Sequence, residues 1–213
     1  MSYSDDEQVE ALRAWWRENG RSVIAGVVIA VVALVGWQQW NAYRQNRAEA
    51  ASAEYTAFYE QILAAQPTEG VVARGEAILE NYGNTPYAPL TALLLARHHV
   101  NAGELEQAAE HLRWVIAKAD SKPVQAIARL RLARVLAAQQ KYDEALAQLE
   151  PVPGPLTADF QEARGDLLSA AGRADAAIGA YRAALADQNL MPQRRAIIQL
   201  KLNDLGAAEE PTA

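Results

Sequence analysis

The chain has 213 residues, 51% of them hydrophobic and 22% charged, with no cysteine and a net charge of −6. Such a composition excludes a wholly disordered chain, and the missing thiols exclude a disulfide framework, a thiolate zinc site and a cysteine nucleophile. The acidic balance also argues against a duplex-binding surface, so no nucleic acid is expected as a partner.

Residues 1–21 are polar and acidic, with Val9, Leu12, Trp15 and Trp16 spaced to share one face of a helix. They read as an amphipathic segment that binds a partner or lies on a membrane surface. From Ser22 to Tyr43 there is no Lys, Arg, Asp or Glu, a stretch of 22 residues between Arg21 and Arg44. At ~1.5 Å per residue it spans ~33 Å, enough for a bilayer core. Val23 to Trp37 is an unbroken apolar run inside it. Trp15 and Trp16 stand before the run, and Trp37, Trp40 and Tyr43 close it. Indole and phenol rings prefer the two membrane interfaces, so the four tryptophans are expected to anchor a transmembrane helix over 22–43.

A cleaved signal peptide would carry an apolar stretch of similar length. Its leader would be short and basic, however, whereas this one is long and acidic. Arg13, Arg17 and Arg21 precede the span, and Arg44 and Arg47 follow it. Three basic residues against two favour a cytoplasmic N-terminus by a narrow margin. Gly26 and Ala30 have the spacing of a helix-packing pair, which is common in alanine-rich spans.

Beyond the span, residues 44–206 read as all-α. Apolar side chains recur at intervals of three and four, and runs of β-branched residues are absent. Turn signals fall at Gln66-Pro67, Gly83 to Pro86, Asn101 to Gly103, Asp120 to Pro123, Gln139-Gln140, Pro151 to Pro155, Ala171-Gly172 and Asn189 to Pro192. Helices of roughly 9–18 residues are expected between them. Thr85-Pro86 reads as an N-cap followed by a first-turn proline. Residues 207–213 are expected to be a disordered tail.

Three stretches superimpose in register. A small residue occurs at Ala96, Ala133 and Gly165; a turn residue at Gly103, Gln140 and Gly172; a second small residue at Ala108, Ala145 and Ala177; and a large one at Leu112, Leu149 and Tyr181. All four sets show the same intervals, 37 residues and then 32. This pattern resembles the tetratricopeptide repeat, whose period is about 34 residues. Small residues let paired helices approach, and the large one fills the gap between hairpins. The aromatic usual on the first helix is replaced by His99, Leu136 and Leu168. Ala48 to Tyr82 reads as a further, degenerate helix pair, and Met191 to Leu205 as a terminal capping helix.

Repeat geometry then places one row of each first helix on a concave face. The candidate partner-binding residues are Leu90, Leu93, Arg97 and Asn101, then Ile127, Leu130 and Arg134, then Glu162 and Asp166. The row passes from apolar and mildly basic to acidic. Arg97 and Arg134 could grip a carboxylate, or stand solvated or paired to neighbouring glutamates.

No catalytic, cofactor or metal site is predicted. The histidines are His98, His99 and His111, too few to ligate a metal without further donors. Carboxylate pairs such as Asp5-Asp6, Asp143-Glu144 and Glu209-Glu210 lie at chain ends or helix starts, where they favour the helix dipole. No phosphate-binding glycine loop, G-x-S-x-G or H-E-x-x-H motif occurs. A non-enzymatic scaffold without small-molecule substrate is the expectation.

A more specific resemblance rests on Glu7-Gln8-Val9-Glu10-Ala11-Leu12, Trp15-Trp16, Glu18-Asn19-Gly20, Gly36-Trp37 and Trp40-Asn41. Leu132-Ala133-Arg134-Val135, Arg164-Gly165-Asp166 and Leu200 to Leu205 extend it to the whole chain. The chain resembles the YfgM-type ancillary subunits of the SecYEG translocon. That resemblance implies a single-pass protein of the bacterial inner membrane, with a cytoplasmic N-terminus and a periplasmic repeat domain. It further implies contact with SecYEG and with a PpiD-type membrane-anchored chaperone, and a role in passing exported chains to periplasmic chaperones. Two other readings fit the residues less well. Repeat scaffolds of outer-membrane or cell-envelope assembly or stress-response complexes are usually lipoproteins and need a cysteine. A membrane enzyme or regulator would instead use residues 1–20 as a cytoplasmic effector.

Overall fold

A computed structural model describes residues 5–64, 70–150 and 154–207 of the chain. The turn at Gln66-Pro67, the middle of the proline segment, the Glu209-Glu210 pair and the tail beyond Ala207 lie outside the described residues. So do the side chains of Asp5 and Asp6. All described secondary structure is helical. Two compact units divide the chain, Met1–Ala50 and Ala51–Ala213. The division falls a few residues beyond the expected start of the repeat domain at 44.

Helix α1 is assigned over Asp5–Ile62 and contains the whole expected span. Among the described residues it is the one helix long and apolar enough to cross a membrane. Ile24, Val28, Ile29, Val32 and Leu34 are exposed, so no protein core accounts for their apolarity. Trp15, Trp16, Trp37 and Trp40 are exposed as well. Trp15 and Trp16 lie against each other with ring centroids 6.4 Å apart. At the other end, Trp40 and Tyr43 are 6.3 Å apart, and Arg47 donates to the Tyr43 hydroxyl at 3.2 Å.

In the second unit α2 (Val71–Tyr82), α3 (Tyr87–Ala102), α4 (Leu105–Lys118), α5 (Lys122–Ala138), α6 (Tyr142–Ala147), α7 (Thr157–Ala170), α8 (Ala174–Leu185) and α9 (Pro192–Asp204) follow in order. Successive helices pair as hairpins: α3 with α4, α5 with α6, and α7 with α8. The positions aligned by sequence occupy equivalent places. Ala96, Ala133, Ala108, Ala145 and Ala177 are buried, as are Leu112, Leu149 and Tyr181. Each buried leucine of this kind stabilises the fold by about 1.5–3 kcal/mol relative to exposure. His99, Leu136 and Leu168, which stand at the position usually held by a larger aromatic, are buried too.

The hairpin turns repeat to the level of single hydrogen bonds. Gly103 N–H donates to Val100 O at 3.1 Å and Glu104 N–H to His99 O at 2.8 Å. Gln140 and Lys141 bond Ala137 and Leu136 in the same way, and Gly172 and Arg173 bond Ser169 and Leu168. These are Schellman ends, which need a left-handed residue at the turn. Gly103 and Gly172 supply it with φ of 78° and 74°, whereas Gln140 adopts φ 62° despite its Cβ.

The degenerate first pair is built from the end of α1 and α2. A Cβ placed on Gly75 would lie 2.8 Å from a Leu95 methyl and 2.9 Å from the Phe58 ring, so a side chain there would have to displace both. Gly75 and Leu79 precede Ala108 and Leu112 by 33 residues each, which extends the small-and-large register one hairpin earlier.

Two local expectations are corrected. Thr85 does not cap α3. Its hydroxyl donates to Tyr82 O at 2.8 Å, so it closes the end of α2, and α3 starts after Pro86 without a side-chain cap. Helix α6 spans six residues, shorter than the expected minimum. Gln148 and Leu149 already bond carbonyls three residues back, at 3.1 and 3.0 Å. Pro151 disfavours helix at Glu150 before it. Arg129 of α5 takes over the freed carbonyls, donating to Gln148 O at 2.7 Å and to Glu150 O, while its guanidinium covers the Phe160 ring at 5.4 Å.

Candidate partner-binding face

The first helices α3, α5 and α7 each turn one stripe into their hairpin and leave another toward solvent. Apolar spacing decides which residue goes where. Leu93 and Leu130 are buried and contribute to the core rather than to an accessible surface. Leu90 and Ile127 remain 39% and 38% exposed. Arg97, Asn101 and Arg134 are exposed.

Arg97 of α3 and Arg134 of α5 are brought together at one hollow of 340 Å³. Its other lining residues are Ala96, Val100, Leu112, Arg131 and Val135. Arg131 was not among the expected residues; its signal was the three-residue spacing to Arg134, which puts both on one side of α5. Burial first, then the positive charges of Arg134 and Arg97, push the Arg131 pKa below the ordinary arginine value. Among the described residues no carboxylate pairs with any of the three arginines. Asn101 lines a neighbouring hollow of 360 Å³ with Ile62, Leu94 and His98.

The acidic end of the row is occupied from within. Arg194 of α9 holds Glu162 Oε2 at 2.7 Å and Asp159 Oδ1 at 2.5 Å. Lys201 holds Glu162 Oε1 at 2.8 Å and Asp166 Oδ1 at 2.7 Å. Asp166 also accepts from the Tyr181 hydroxyl at 2.8 Å. Burial opposes ionisation of Glu162, but hydrogen bonds from Lys201 and Arg194 outweigh it and hold the carboxyl below its usual range. Burial, then the bond to Asp166, pushes the Tyr181 phenol well above its usual value. Glu162 and Asp166 thus fasten the capping helix, and neither α9 cation was expected at this face.

A polar cluster lies between α3 and α4. His99 and His111 stack with centroids 5.2 Å apart and planes 14° from parallel. His99 Nδ1 lies 2.6 Å from Glu104 Oε2, and His111 Nε2 lies 3.2 Å from Glu76 Oε1. Among the described residues no group of three or more histidine or carboxylate side chains is placed to hold a metal ion.

These features define a tetratricopeptide-like helical-repeat protein with an apolar helix ahead of its hairpins. The tetratricopeptide repeat-like domain family matches residues 13–207, and the chain belongs to the family of ancillary SecYEG translocon subunits. The Escherichia coli (strain K12) member is 30% identical over 203 residues, covering 95% of this chain and 97% of that protein. The Neisseria gonorrhoeae member is 26% identical, over 94% of this chain and 97% of its own. The Haemophilus influenzae member is also 26% identical, over 80% and 87%. Among solved structures the chain is similar to the crystal structure of MamA, with a TM-score of 0.50 and 19% identity over 65% of this chain and 79% of that one. That last likeness concerns the fold alone.

Proposed function

We propose that this chain is a single-pass ancillary subunit of the Sec translocon in a bacterial inner membrane, with its N-terminus cytoplasmic and its repeat domain periplasmic. There it acts as a non-enzymatic scaffold. The anchor carries the contact with the translocon, and the first-helix face binds a protein partner such as a PpiD-type chaperone, easing transfer of exported chains. The observation that carries this reading is the match to translocon subunits along nearly the full length of both chains, the apolar helix included. Tethering beside a channel raises effective concentration, so modest contacts suffice for such a scaffold.

Protease added to spheroplasts with an intact inner membrane tests the topology. Digestion of the repeat domain from outside is expected. Protection until the membrane is broken would place the hairpins in the cytoplasm and reject the reading. Deleting 22–43 is expected to abolish co-purification with the translocon, and undiminished recovery would refute the role given to the anchor.

A further inference from the structure

Three guanidinium groups face one hollow on the second unit. Arg97 comes from α3, and Arg131 and Arg134 come from α5. All three side chains are exposed, so water screens their mutual repulsion, and an anion seated among them would turn that repulsion into attraction. Three arginines elsewhere in the second unit show what an internal solution looks like. Arg164 pairs with Glu150, Arg173 with Asp143, and Arg194 with Asp159 and Glu162. No such partner stands at Arg97, Arg131 or Arg134 among the described residues.

The floor between them is aliphatic. Ala96, Leu112 and Val135 are buried beneath it, and Val100 stands 41% exposed at its edge. A bare anion would leave this apolar surface uncovered. A volume of 340 Å³ lies at the small end of the usual range for ligand sites, too little for the chains of a lipid.

We infer that the hollow between α3 and α5 binds a peptide segment of a partner protein in which carboxylate side chains flank an aliphatic one. The aliphatic side chain covers Val100 and Leu112 while the carboxylates take the guanidinium forks, for which bidentate bonding suits arginine. The inference rests on the scaffold reading above and gives that scaffold a partner chemistry.

The test uses the full chain in phosphatidylcholine nanodiscs. The probe is a fluorescein-labelled peptide alternating aspartate with leucine, read by polarisation. A matched peptide with asparagine for aspartate is expected to bind at least about tenfold more weakly. The double variant Arg97→Gln/Arg134→Gln is expected to lose about as much. Val100→Glu lies at an exposed position and keeps all three arginines, yet supplies an internal counter-charge, so it is also expected to lose binding. Equal binding by the variants or by the asparagine peptide would overturn the inference. Complete displacement by millimolar phosphate would reduce the site to a simple anion site and overturn it too. Displacement of the peptide by soluble short-chain phosphatidylglycerol but not by short-chain phosphatidylcholine would assign the arginines to a lipid headgroup and likewise overturn it. Co-purification of the wild-type chain with the translocon is scored separately. Its failure would sink the translocon reading and leave the peptide result standing.

Discussion

Gly165→Ala places a methyl group where the aromatic ring of Tyr181 already lies. A Cβ built on Gly165 meets Cε1 of the ring head-on, 2.5 Å from Cδ1 and 2.8 Å from Cζ. The ring cannot swing aside freely, because Tyr181 is buried and its hydroxyl is tied to Asp166 at 2.8 Å. Overpacking of this kind costs about 1–3 kcal/mol. Moving the phenol enough to relieve it also weakens a bond to a charged group, worth about 1.5–3 kcal/mol when lost outright. Alanine returns about 1 kcal/mol of helix propensity. The net expectation is a loss of about 2 kcal/mol, or a fall in melting temperature of about 4–8 °C for a domain of this size. Thermal unfolding of the detergent-solubilised chain, followed by circular dichroism, measures it. Gly179→Ala is the internal control, since nothing lies within 4 Å of its added Cβ, and it is expected to stabilise by up to about 1 kcal/mol. Tyr181→Leu in the Gly165→Ala background is expected to recover part of the loss. A Gly165→Ala chain as stable as wild type, or a Gly179→Ala chain destabilised equally, would refute the close-crossing argument.

Gln140→Gly is expected to raise stability by about 1 kcal/mol in the same melt, because a left-handed residue with a Cβ carries about that strain; an unchanged or lower midpoint would contradict the turn assignment. Burial pushes the His111 pKa down, an effect that Glu76 opposes, His99 reinforces and Glu110 opposes. The unfolded chain therefore takes up this proton first, so stability is expected to decline as pH falls below about 6.5, the unfolded value. His111→Gln is expected to make that decline shallower, and equal slopes would refute the assignment.

The hairpin register was legible because steric demands write themselves directly into residue size. Ala96, Ala133 and Gly165 are small for one reason, the crossing of two helices, and that reason repeats. The long apolar helix was legible because a charge-free stretch of 22 residues at helical rise is long enough to cross a bilayer core. Charge pairing was not legible in the same way. Glu162 and Asp166 looked like solvent-facing carboxylates because their partners, Arg194 and Lys201, lie 32–39 residues away along the chain. Only the return of α9 brings them together. Leu93 and Leu130 belonged to the expected face by position, yet their apolar bodies are taken by the core. Thr85 could have served the helix on either side, and the sequence alone carries no preference between those two carbonyl and amide sets. The brevity of α6 depended on a guanidinium, Arg129, reaching carbonyls 19 residues ahead.

Within each of the three hairpins from α3 to α8 the two small residues stand 12 positions apart, from Ala96 to Ala108, from Ala133 to Ala145 and from Gly165 to Ala177. Length variation is therefore confined to the joints between hairpins. The joint between α4 and α5, Ala119 to Ser121, is pinned by Gln125, whose side chain donates to Ala119 O at 2.6 Å and whose backbone N–H donates to Ser121 O at 3.0 Å. That joint leads from α4 into α5, which carries two of the three arginines at the hollow, so a change in its length is expected to alter their distance from Arg97 without replacing a single lining side chain.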